Sequence, residues 1–179
     1  MMEIEKMVDD FIESLPCKAD MPYPEVEVEG QNIRYAKLLM DAYADGEKGE
    51  LTAITQYMHH HLTMQNKEIA NVELCISLIE MKHLELLGDL IKMLGGNPKY
   101  RRSNKAWWDG GQVSYGDSTE FKLKLDIDAE KAAIDGYKTL ISEIEDKHVV
   151  KVLSRILEDE IVHFNILTAL HKKYYANKR

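Results

Sequence analysis

The chain has 179 residues, of which 45% are hydrophobic and 30% are charged, and it contains 4 Pro and 10 Gly. This length suits one domain with a sizeable core, and the composition is that of a soluble globular protein with room for long helices. The net charge is −8, from 31 acidic against 23 basic residues. This charge opposes binding to nucleic acid or to an anionic membrane, and it is compatible with gathering cations.

The start of the chain and its hydropathy argue against a membrane or secreted protein. No run of about eighteen uncharged apolar residues occurs. Glu3 and Glu5 lie where a secretory signal would carry Lys or Arg. We therefore expect a cytoplasmic protein without a membrane partner.

Cys17 and Cys75 are far apart in the sequence, so we expect neither a disulfide framework nor a Cys-x-x-Cys metal site, and Cys75 should be a small core residue.

Residues 1–30 predict a short helix followed by a clamp segment. Apolar side chains recur at helical spacing over residues 4–15, which is typical of a helix that packs one face. Pro16, Pro22 and Pro24 then prevent a regular continuation. From residue 31 to residue 66 there is no Pro and the helical spacing returns, so we predict one long helix A.

Three further helices complete residues 31–179 as a single domain. Helix B is predicted over residues 69–94, because Gly95-Gly96-Asn97-Pro98 ends the helical pattern. Residues 96–117 lack helical spacing, and their length suits a connection that crosses the whole bundle. The third and fourth helices are predicted from residue 118 or 119 to 145 and over residues 149–175. The fold class is therefore an all-α four-helix bundle, with two antiparallel hairpins joined by one long crossover.

A repeat relates the two halves of this bundle. A constant shift of 80 residues, without gaps, matches polar residues as well as apolar ones. The matched pairs are Glu50 with Glu130, Tyr57 with Tyr137, Glu80 with Glu160, and His83 with His163. Seven residues turn a helix by about 700° and three residues by about 300°, so Glu and Tyr, or Glu and His, share one helix face. The repeat predicts two similar hairpins around a pseudo-twofold axis.

The matched Glu and His residues lie inside the apolar stripes of their helices. Four carboxylates in one apolar bundle would repel each other and lose their hydration, which is costly for each ion. Two divalent metal ions would balance the four negative charges, and two neutral imidazoles would complete the ligands. The sequence therefore predicts a two-metal site formed by Glu50, Glu80, His83, Glu130, Glu160 and His163.

One Glu from each of two helices and a Glu-x-x-His from each of the other two is the ligand set of ferritin-like di-iron and di-manganese proteins. From about residue 31 onward the chain resembles this superfamily. Residues 49–57 and 80–83 resemble bacterioferritin sequences, and the spacing from Glu to Tyr in both halves also resembles rubrerythrin.

This resemblance implies a role for each ligand. Glu80 and Glu160 would bridge the two metals. The terminal carboxylates would be Glu50 and Glu130, and His83 and His163 would bind one metal each. The cofactors implied are two iron ions per chain, with two manganese ions as the alternative, since manganese catalases share the fold and a similar ligand set.

The sequence also departs from these families. Rubrerythrins carry an additional Glu where this chain has Ala133, and no Cys-x-x-Cys rubredoxin module is present, so the rubrerythrin mechanism does not transfer whole. Bacterioferritin binds haem through the Met at the position of Met81. A Met is equally suited to the surface or core there, and we do not expect haem. The added N-terminal segment and the short stretch after the fourth helix favour a homodimer over a storage cage.

Asp159 is predicted to contact His83. It precedes Glu160, and related di-iron proteins reach the opposite histidine from this position. A metal-bound His usually donates its other ring N–H to such a partner. The symmetric position is Ile79, so His163 should lack this partner and the two metals should be inequivalent.

Tyrosines and further histidines flank the predicted ligands. Tyr57 and Tyr137 are expected to be core aromatics, donors to Glu ligands, or both. His61 is expected to be a satisfied histidine in the core or at the rim of a pocket rather than a ligand, and His59 and His60 are expected to be solvated.

The predicted crossover carries basic residues beside two tryptophans, a combination that also occurs in nucleic-acid-binding proteins. The overall acidity opposes that function. We expect the Trp pair to pack on the bundle or on a second subunit. The residues concerned are Lys99, Arg101, Arg102, Lys105, Trp107 and Trp108.

The leading functional hypothesis is a redox enzyme that reacts with hydrogen peroxide or O2. Iron would give peroxide reduction or ferroxidase activity on Fe(II), and manganese would give catalase-like disproportionation. The complete set of six ligands favours iron, and the electron donor is unidentified. The alternatives are iron sequestration in a large assembly and a structural role of the metals, as in spore-coat relatives of manganese catalases.

Overall fold

The computed structural model describes residues 2–44, 48–101 and 105–176. These residues contain six α-helices and a short 3-10 turn at Gly110–Gln112. In chain order the helices are α1 (Met2–Glu13), α2 (Ile33–Ala44), α3 (Glu50–Thr63), α4 (Lys67–Met93), α5 (Thr119–Glu143) and α6 (Lys147–Tyr175). Helix α3 packs along α4, and α5 packs along α6, which gives the two predicted hairpins.

The predicted continuous helix A is wrong, because the structure divides it into α2 and α3. Gly49 has an extended backbone at φ −86° and ψ 150° immediately before α3 begins. Gly46 and Gly49 lower helix propensity in this stretch, although Gly46 itself lies outside the described residues. The division places Glu50 in the first turn of α3, where the positive end of the helix dipole favours a carboxylate.

Polar side chains fix the starts of the later helices. Asn66 accepts hydrogen bonds from the backbone N–H groups of residues 68 and 69 at the start of α4. Ser118 and Asp146 make equivalent capping bonds at the starts of α5 and α6. At the other end of α4, Gly95 takes a left-handed conformation, φ 87°, which glycine adopts without a steric penalty. These signals explain why the predicted boundaries of these helices agree with the observed ones within a few residues.

The crossover between α4 and α5 runs along α3. Trp108 donates its indole N–H to Thr52 Oγ1 at 2.9 Å, and Ser114 N donates to Gln56 Oε1 at 3.0 Å. Trp108 therefore packs on the bundle as expected. Trp107 does not, since 58% of it is exposed. The Arg101 guanidinium lies 4.0 Å from the centre of the Trp107 ring, and Arg102 lies outside the described residues.

Two apolar clusters fill the bundle, one towards each end. On α4 the first cluster contributes Leu86, Leu87, Leu90 and Ile91, and the second contributes buried residues between 69 and 79. On α6 the order is reversed, with buried apolar residues between 149 and 156 in the first cluster and residues 167 and 170 in the second. Glu80, His83, Glu160 and His163 lie between the clusters on both helices. The fold thus surrounds these polar residues with apolar side chains at both ends.

The N-terminal segment corrects two expectations. Helix α1 forms as predicted, but most of its apolar face is in water: Ile4, Met7, Val8 and Phe11 are each more than half exposed. Cys17 and Cys75 form a disulfide, which we did not expect. Their separation of 58 residues carries no information about distance in space, because the chain returns along α4 past the end of α1.

No helix in the described part of the chain combines the length and the apolar composition that a membrane span requires.

Truncating a core leucine tests the packing between the hairpins. Leu87 is fully buried on α4, so Leu87→Ala should lower the free energy of unfolding by about 2–5 kcal/mol. Urea unfolding monitored by circular dichroism measures this change. Leu62→Ala is the matched control, because Leu62 is 72% exposed and its truncation should change stability by no more than about 0.5 kcal/mol. Equal losses in both variants would contradict the core described above.

Candidate metal centre

The six predicted ligands meet in the middle of the bundle. Each is at most 5% exposed, and helices α3 to α6 all contribute. Two overlapping groups have ligand atoms within 4.8 Å of one another. Glu50 and His83 belong to one group, Glu130 and His163 belong to the other, and Glu80 and Glu160 belong to both. The geometry is therefore that of two adjacent positions that share two carboxylates.

The shared carboxylates lie between the two imidazoles. Glu80 Oε2 is 2.9 Å from His83 Nδ1, and Glu80 Oε1 is 2.9 Å from His163 Nδ1. Glu160 lies 3.1 Å from His83 Nδ1 through Oε1 and 3.9 Å from His163 Nδ1 through Oε2. Each histidine thus turns Nδ1 towards the shared carboxylates, and the ring centres are 6.0 Å apart.

The unshared carboxylates repeat the same geometry in both halves. Glu50 Oε2 is 3.7 Å from His83 Nδ1, and Glu130 Oε2 is 3.7 Å from His163 Nδ1. Each is hydrogen-bonded by the tyrosine of the opposite hairpin: Tyr137 donates to Glu50 and Tyr57 donates to Glu130. The pseudo-twofold relation predicted from the repeat therefore extends to these hydrogen bonds.

The buried groups of the centre shift one another's pKa values in opposite directions. Burial, followed by repulsion from neighbouring carboxylates, raises the pKa of Glu50 and of Glu130 well above the usual value. Burial also acts to raise the pKa of Glu80, but the two histidines outweigh it and hold this pKa well below the usual value. The pKa values of His83 and His163 rise because the carboxylates outweigh the effect of burial. The directions of these shifts show that the buried carboxylates favour positive charge beside them, which two dications would supply.

Several buried atoms in this centre lack a hydrogen-bond partner among the described residues. They are Glu80 Oε1, Glu130 Oε2, Glu160 Oε1 and both ring nitrogens of His163. Glu80 Oε1 and His163 Nδ1 are close to each other, but they are not aligned as a hydrogen bond. Buried polar atoms without partners are costly, and metal coordination would satisfy the three carboxylate oxygens and His163 Nδ1, the ring nitrogen that faces them. Carboxylate oxygen and imidazole nitrogen together suit iron and manganese.

The two histidines differ on the side that faces away from the carboxylates. Asp159 Oδ2 lies 3.1 Å from His83 Nε2. Burial acts to raise the pKa of Asp159, but hydrogen bonds from His83, Arg155 and Tyr23 outweigh it and keep this carboxyl ionised. None of the described residues provides such a partner for His163 Nε2, and Ile79 occupies the symmetric position. The surroundings of the two positions are therefore unequal.

A second buried polar cluster, which the sequence analysis missed, lies beside the centre. His60, Glu73 and Asp126 are fully buried, and their potential ligand atoms lie within 4.8 Å of one another. The expectation that His60 is solvated is wrong. His60 follows Tyr57 by three residues and so shares its inward face. The same helical spacing, applied backwards from Glu80 to Glu73 and from Glu130 to Asp126, would have found all three.

Hydrogen bonds account for His60 and Asp126 in this cluster but not for Glu73. His60 Nε2 lies 2.9 Å from Ser114 O and 3.1 Å from Tyr115 O. Since carbonyls only accept, Nε2 carries a proton. His60 Nδ1 is 2.7 Å from Asp126 Oδ2, which is a normal hydrogen-bond length. Neither Glu73 oxygen has a donor among the described residues. Burial, then repulsion from Asp126, raises the pKa of Glu73 well above the usual value.

The remaining predicted residues lie at the edge of the bundle. His61 Nδ1 is 2.6 Å from Ala70 O, a hydrogen bond that accounts for this histidine without a metal. The ring of His59 packs edge-on against Tyr115. Met81 lies on the surface of α4 with half of it exposed. A small cavity of about 20 Å³ adjoins the centre, and the small side chains of Ala53, Ala129 and Ala133 form part of its wall.

A four-helix bundle in which two repeated hairpins bring Glu and Glu-x-x-His residues to one buried centre defines a di-metal carboxylate protein. The sequence matches the ferritin-like domain family over residues 47–174. The chain belongs to this family.

Relatives of two kinds are similar to the chain in sequence. A bacterioferritin of Desulfovibrio desulfuricans is 31% identical over 135 residues, which cover 72% of this chain and 66% of that protein. A probable manganese catalase of Clostridium acetobutylicum is 26% identical over 160 residues, covering 78% and 71%. The chain thus aligns with about two thirds of the length of these relatives.

Among solved structures, the chain is likewise similar to a manganese catalase and to a bacterioferritin. The manganese catalase KatB from Anabaena superposes with a TM-score of 0.79 and 25% identity, over 87% of this chain and 78% of that one. The D. desulfuricans bacterioferritin, whose structures describe a diiron site in different catalytic states, gives a TM-score of 0.66 and 29% identity, over 80% and 82%.

Replacing Glu73 tests the charge state of the second cluster. Because the pKa of Glu73 is raised on folding, the folded protein retains a proton that the unfolded chain loses above about pH 4.5, and stability falls as the pH rises through that window. Glu73→Gln cannot ionise, and its amide can donate to Asp126. The difference in melting temperature between Glu73→Gln and the wild type should therefore become more favourable to the variant as the pH rises from about 5 to about 8.

Thermal unfolding of the metal-free protein, followed by circular dichroism, measures this difference. Glu158→Gln, at an exposed position of α6, controls for the loss of one negative charge at the surface. A Glu73→Gln protein that is destabilised equally at every pH would show that Glu73 is ionised in the fold.

Proposed function

We propose that the protein is a di-metal oxidoreductase that reduces hydrogen peroxide or O2, with two iron ions in the centre. The observation that carries this proposal is the position of Glu80 and Glu160 between His83 and His163, at distances of 2.9–3.9 Å from both Nδ1 atoms. One group of four ligands would be enough to bind a single metal ion, and the chain provides two such groups. Two groups that share two carboxylates suit a pair of ions.

The chain provides a ligand set for each ion. His83 and Glu50 would hold one ion, His163 and Glu130 would hold the other, and the shared carboxylates would contact both. A pair of redox-active ions held by these residues would supply two electrons together for the reduction of an O–O bond, which would avoid the release of free radicals.

The surrounding side chains orient the ligands and restrict access. The Tyr57 and Tyr137 hydroxyls donate to the terminal carboxylates, so they fix which oxygen of each faces the centre and hold a proton beside it. The apolar clusters at both ends exclude water. The adjoining cavity of about 20 Å³ has room for one molecule the size of water. These dimensions favour O2 or peroxide as the substrate over an organic molecule.

Manganese is the alternative metal, with catalase-like disproportionation of peroxide as its reaction. The likeness to the manganese catalase KatB, with a TM-score of 0.79 over 87% of the chain, supports it. The complete set of six ligands and the bacterioferritin relative, at 31% identity, favour iron. With Fe(II) as the substrate, the same centre would be a ferroxidase.

We further propose a cytoplasmic homodimer as the working form, with an electron donor that is not yet identified. Iron sequestration would instead require a shell of many subunits. Light scattering separates the two, because a particle of about 41 kDa, twice the chain mass of 20.6 kDa, supports the enzyme. A particle many times larger supports storage.

Metal content tests the proposed centre directly. Protein expressed with both iron and manganese available should contain about two metal ions per chain, and the Glu80→Ala/Glu160→Ala double variant should contain almost none, since both positions lose their shared ligands. Elemental analysis of the purified proteins measures this. Glu85→Ala/Glu158→Ala is the matched control, with the same change at exposed positions of the same two helices.

The element found selects the activity assay. Iron predicts reduction of peroxide with an added electron donor, and manganese predicts O2 release from peroxide. Wild-type protein without metal, or a double variant that retains it, would contradict the proposal. Bound metal that is not oxidised by peroxide would assign the centre a structural role instead.

A further inference from the structure

Residues 16–24, here called the strap, connect α1 to the rest of the chain and lie over Asp159. Two donors from the strap bind this carboxylate. Ala19 N donates to Asp159 Oδ1 at 2.7 Å, and the Tyr23 hydroxyl donates to Asp159 Oδ2 at 2.6 Å. Asp159 itself is fully buried. The strap therefore completes the surroundings of a residue on α6.

Tyr23 and His83 meet at the same oxygen atom. His83 Nε2 lies 3.1 Å from Asp159 Oδ2, the atom that accepts from Tyr23. The rings of Tyr23 and His83 are also in edge-on contact, with centres 6.5 Å apart. Asp159 Oδ2 is the hydrogen-bond acceptor for both side chains. A displacement of Tyr23 would therefore change the position of this oxygen and its hydrogen bond with His83.

Arg155, on α6, contacts both Asp159 and the backbone of the strap. Its Nη1 lies 2.6 Å from Asp159 Oδ1, while Nε donates to Met21 O at 3.0 Å and Nη2 donates to Ala19 O at 3.2 Å. The guanidinium also lies 4.2 Å from the centre of the Tyr23 ring. One cation therefore binds both the strap and the carboxylate that the strap supports.

The disulfide fastens the other end of the strap. Cys17 is bonded to Cys75 on α4, the helix that also carries His83. The strap is thus tied covalently to α4 and by hydrogen bonds to α6. In the part of the chain that the structure describes, His163 Nε2 has no equivalent support, since Ile79 occupies the position symmetric to Asp159.

We propose that Tyr23 is a positioning residue for His83, acting through Asp159, and that the Cys17–Cys75 disulfide fastens the strap in the place this requires. This inference rests on the proposed metal centre. A histidine that ligates through Nδ1 carries its proton on Nε2, and a carboxylate that accepts this proton fixes the ring and raises its basicity. Tyr23 fixes that carboxylate. The strap therefore strengthens one metal position and leaves the other unchanged.

Titration of the metal-free protein with Co²⁺, followed by the visible absorption of the bound ion, tests the role of Tyr23. The wild type should bind two ions, and the spectra of His83→Ala and His163→Ala assign the two binding steps. Tyr23→Phe should weaken the step that depends on His83 by about tenfold and leave the other step unchanged. Asp159→Ala should weaken the same step at least as much.

Tyr35→Phe is the matched control. It removes a buried hydroxyl that accepts a hydrogen bond from Glu145 N, away from the strap, and both Co²⁺ steps should remain unchanged. Weakening of both steps, or of neither, in Tyr23→Phe would overturn the role of Tyr23. Wild-type protein that binds no Co²⁺ would overturn the metal centre itself, so the two failures are distinguishable.

Reduction tests the role of the disulfide. A dithiol such as dithiothreitol passes two electrons and two protons to the disulfide, which gives two thiols and the cyclic oxidised reagent. After the reagent has been removed without air, the His83 step should be weaker in the wild type. In Tyr23→Phe, reduction should add little, because both changes act on one pathway. The Cys17→Ser/Cys75→Ser variant should match the reduced protein. Equal Co²⁺ affinity in the oxidised and reduced forms would overturn the role of the disulfide.

Discussion

The repulsion among four carboxylates in a core that excludes water is the constraint on which the rest of the structure depends. Burial raises the pKa of Glu50 and Glu130, while the histidines keep Glu80 ionised. Such a group of charges is stable only when positive charge compensates it, which bound protons or two dications would provide. The tyrosine hydroxyls, the apolar clusters and Asp159 all maintain this balance, since each fixes a ligand or prevents water from replacing it.

The strap makes two otherwise symmetric halves unequal. The repeat alone would give His83 and His163 the same surroundings, yet within the described part of the chain only His83 has a carboxylate partner on Nε2. That carboxylate is held by residues from outside the repeat, in a segment that the predicted division into residues 1–30 and 31–179 treats as separate. This division stays a prediction, and the contacts of Ala19 and Tyr23 with Asp159 show how closely the two parts are associated.

Helical spacing made the centre predictable from the sequence. Because a helix fixes the direction of each side chain, the shift of 80 residues placed six residues on inward faces, and the structure brings all six together. The features that were missed depend on other physics. The break before Glu50 occurs at a single described residue, Gly49, and the disulfide depends on proximity in space. Helical spacing already places His60 on the inward face of α3, but its bond to Asp126, 66 residues away, depends on how the helices pack. The exposed face of α1 shows that an amphipathic pattern predicts a helix without identifying what covers it.

The crossed hydrogen bonds of the tyrosines have a consequence for how such a protein can arise. Tyr57 supports a carboxylate of the second hairpin and Tyr137 supports one of the first, so a single hairpin contains half of the ligands and none of their hydroxyl donors in the correct place. Two identical hairpins, associated around a true twofold axis, would already contain every group of the centre. Joining them through the crossover adds no ligand. It frees the two copies to diverge, as Asp159 and Ile79 have done.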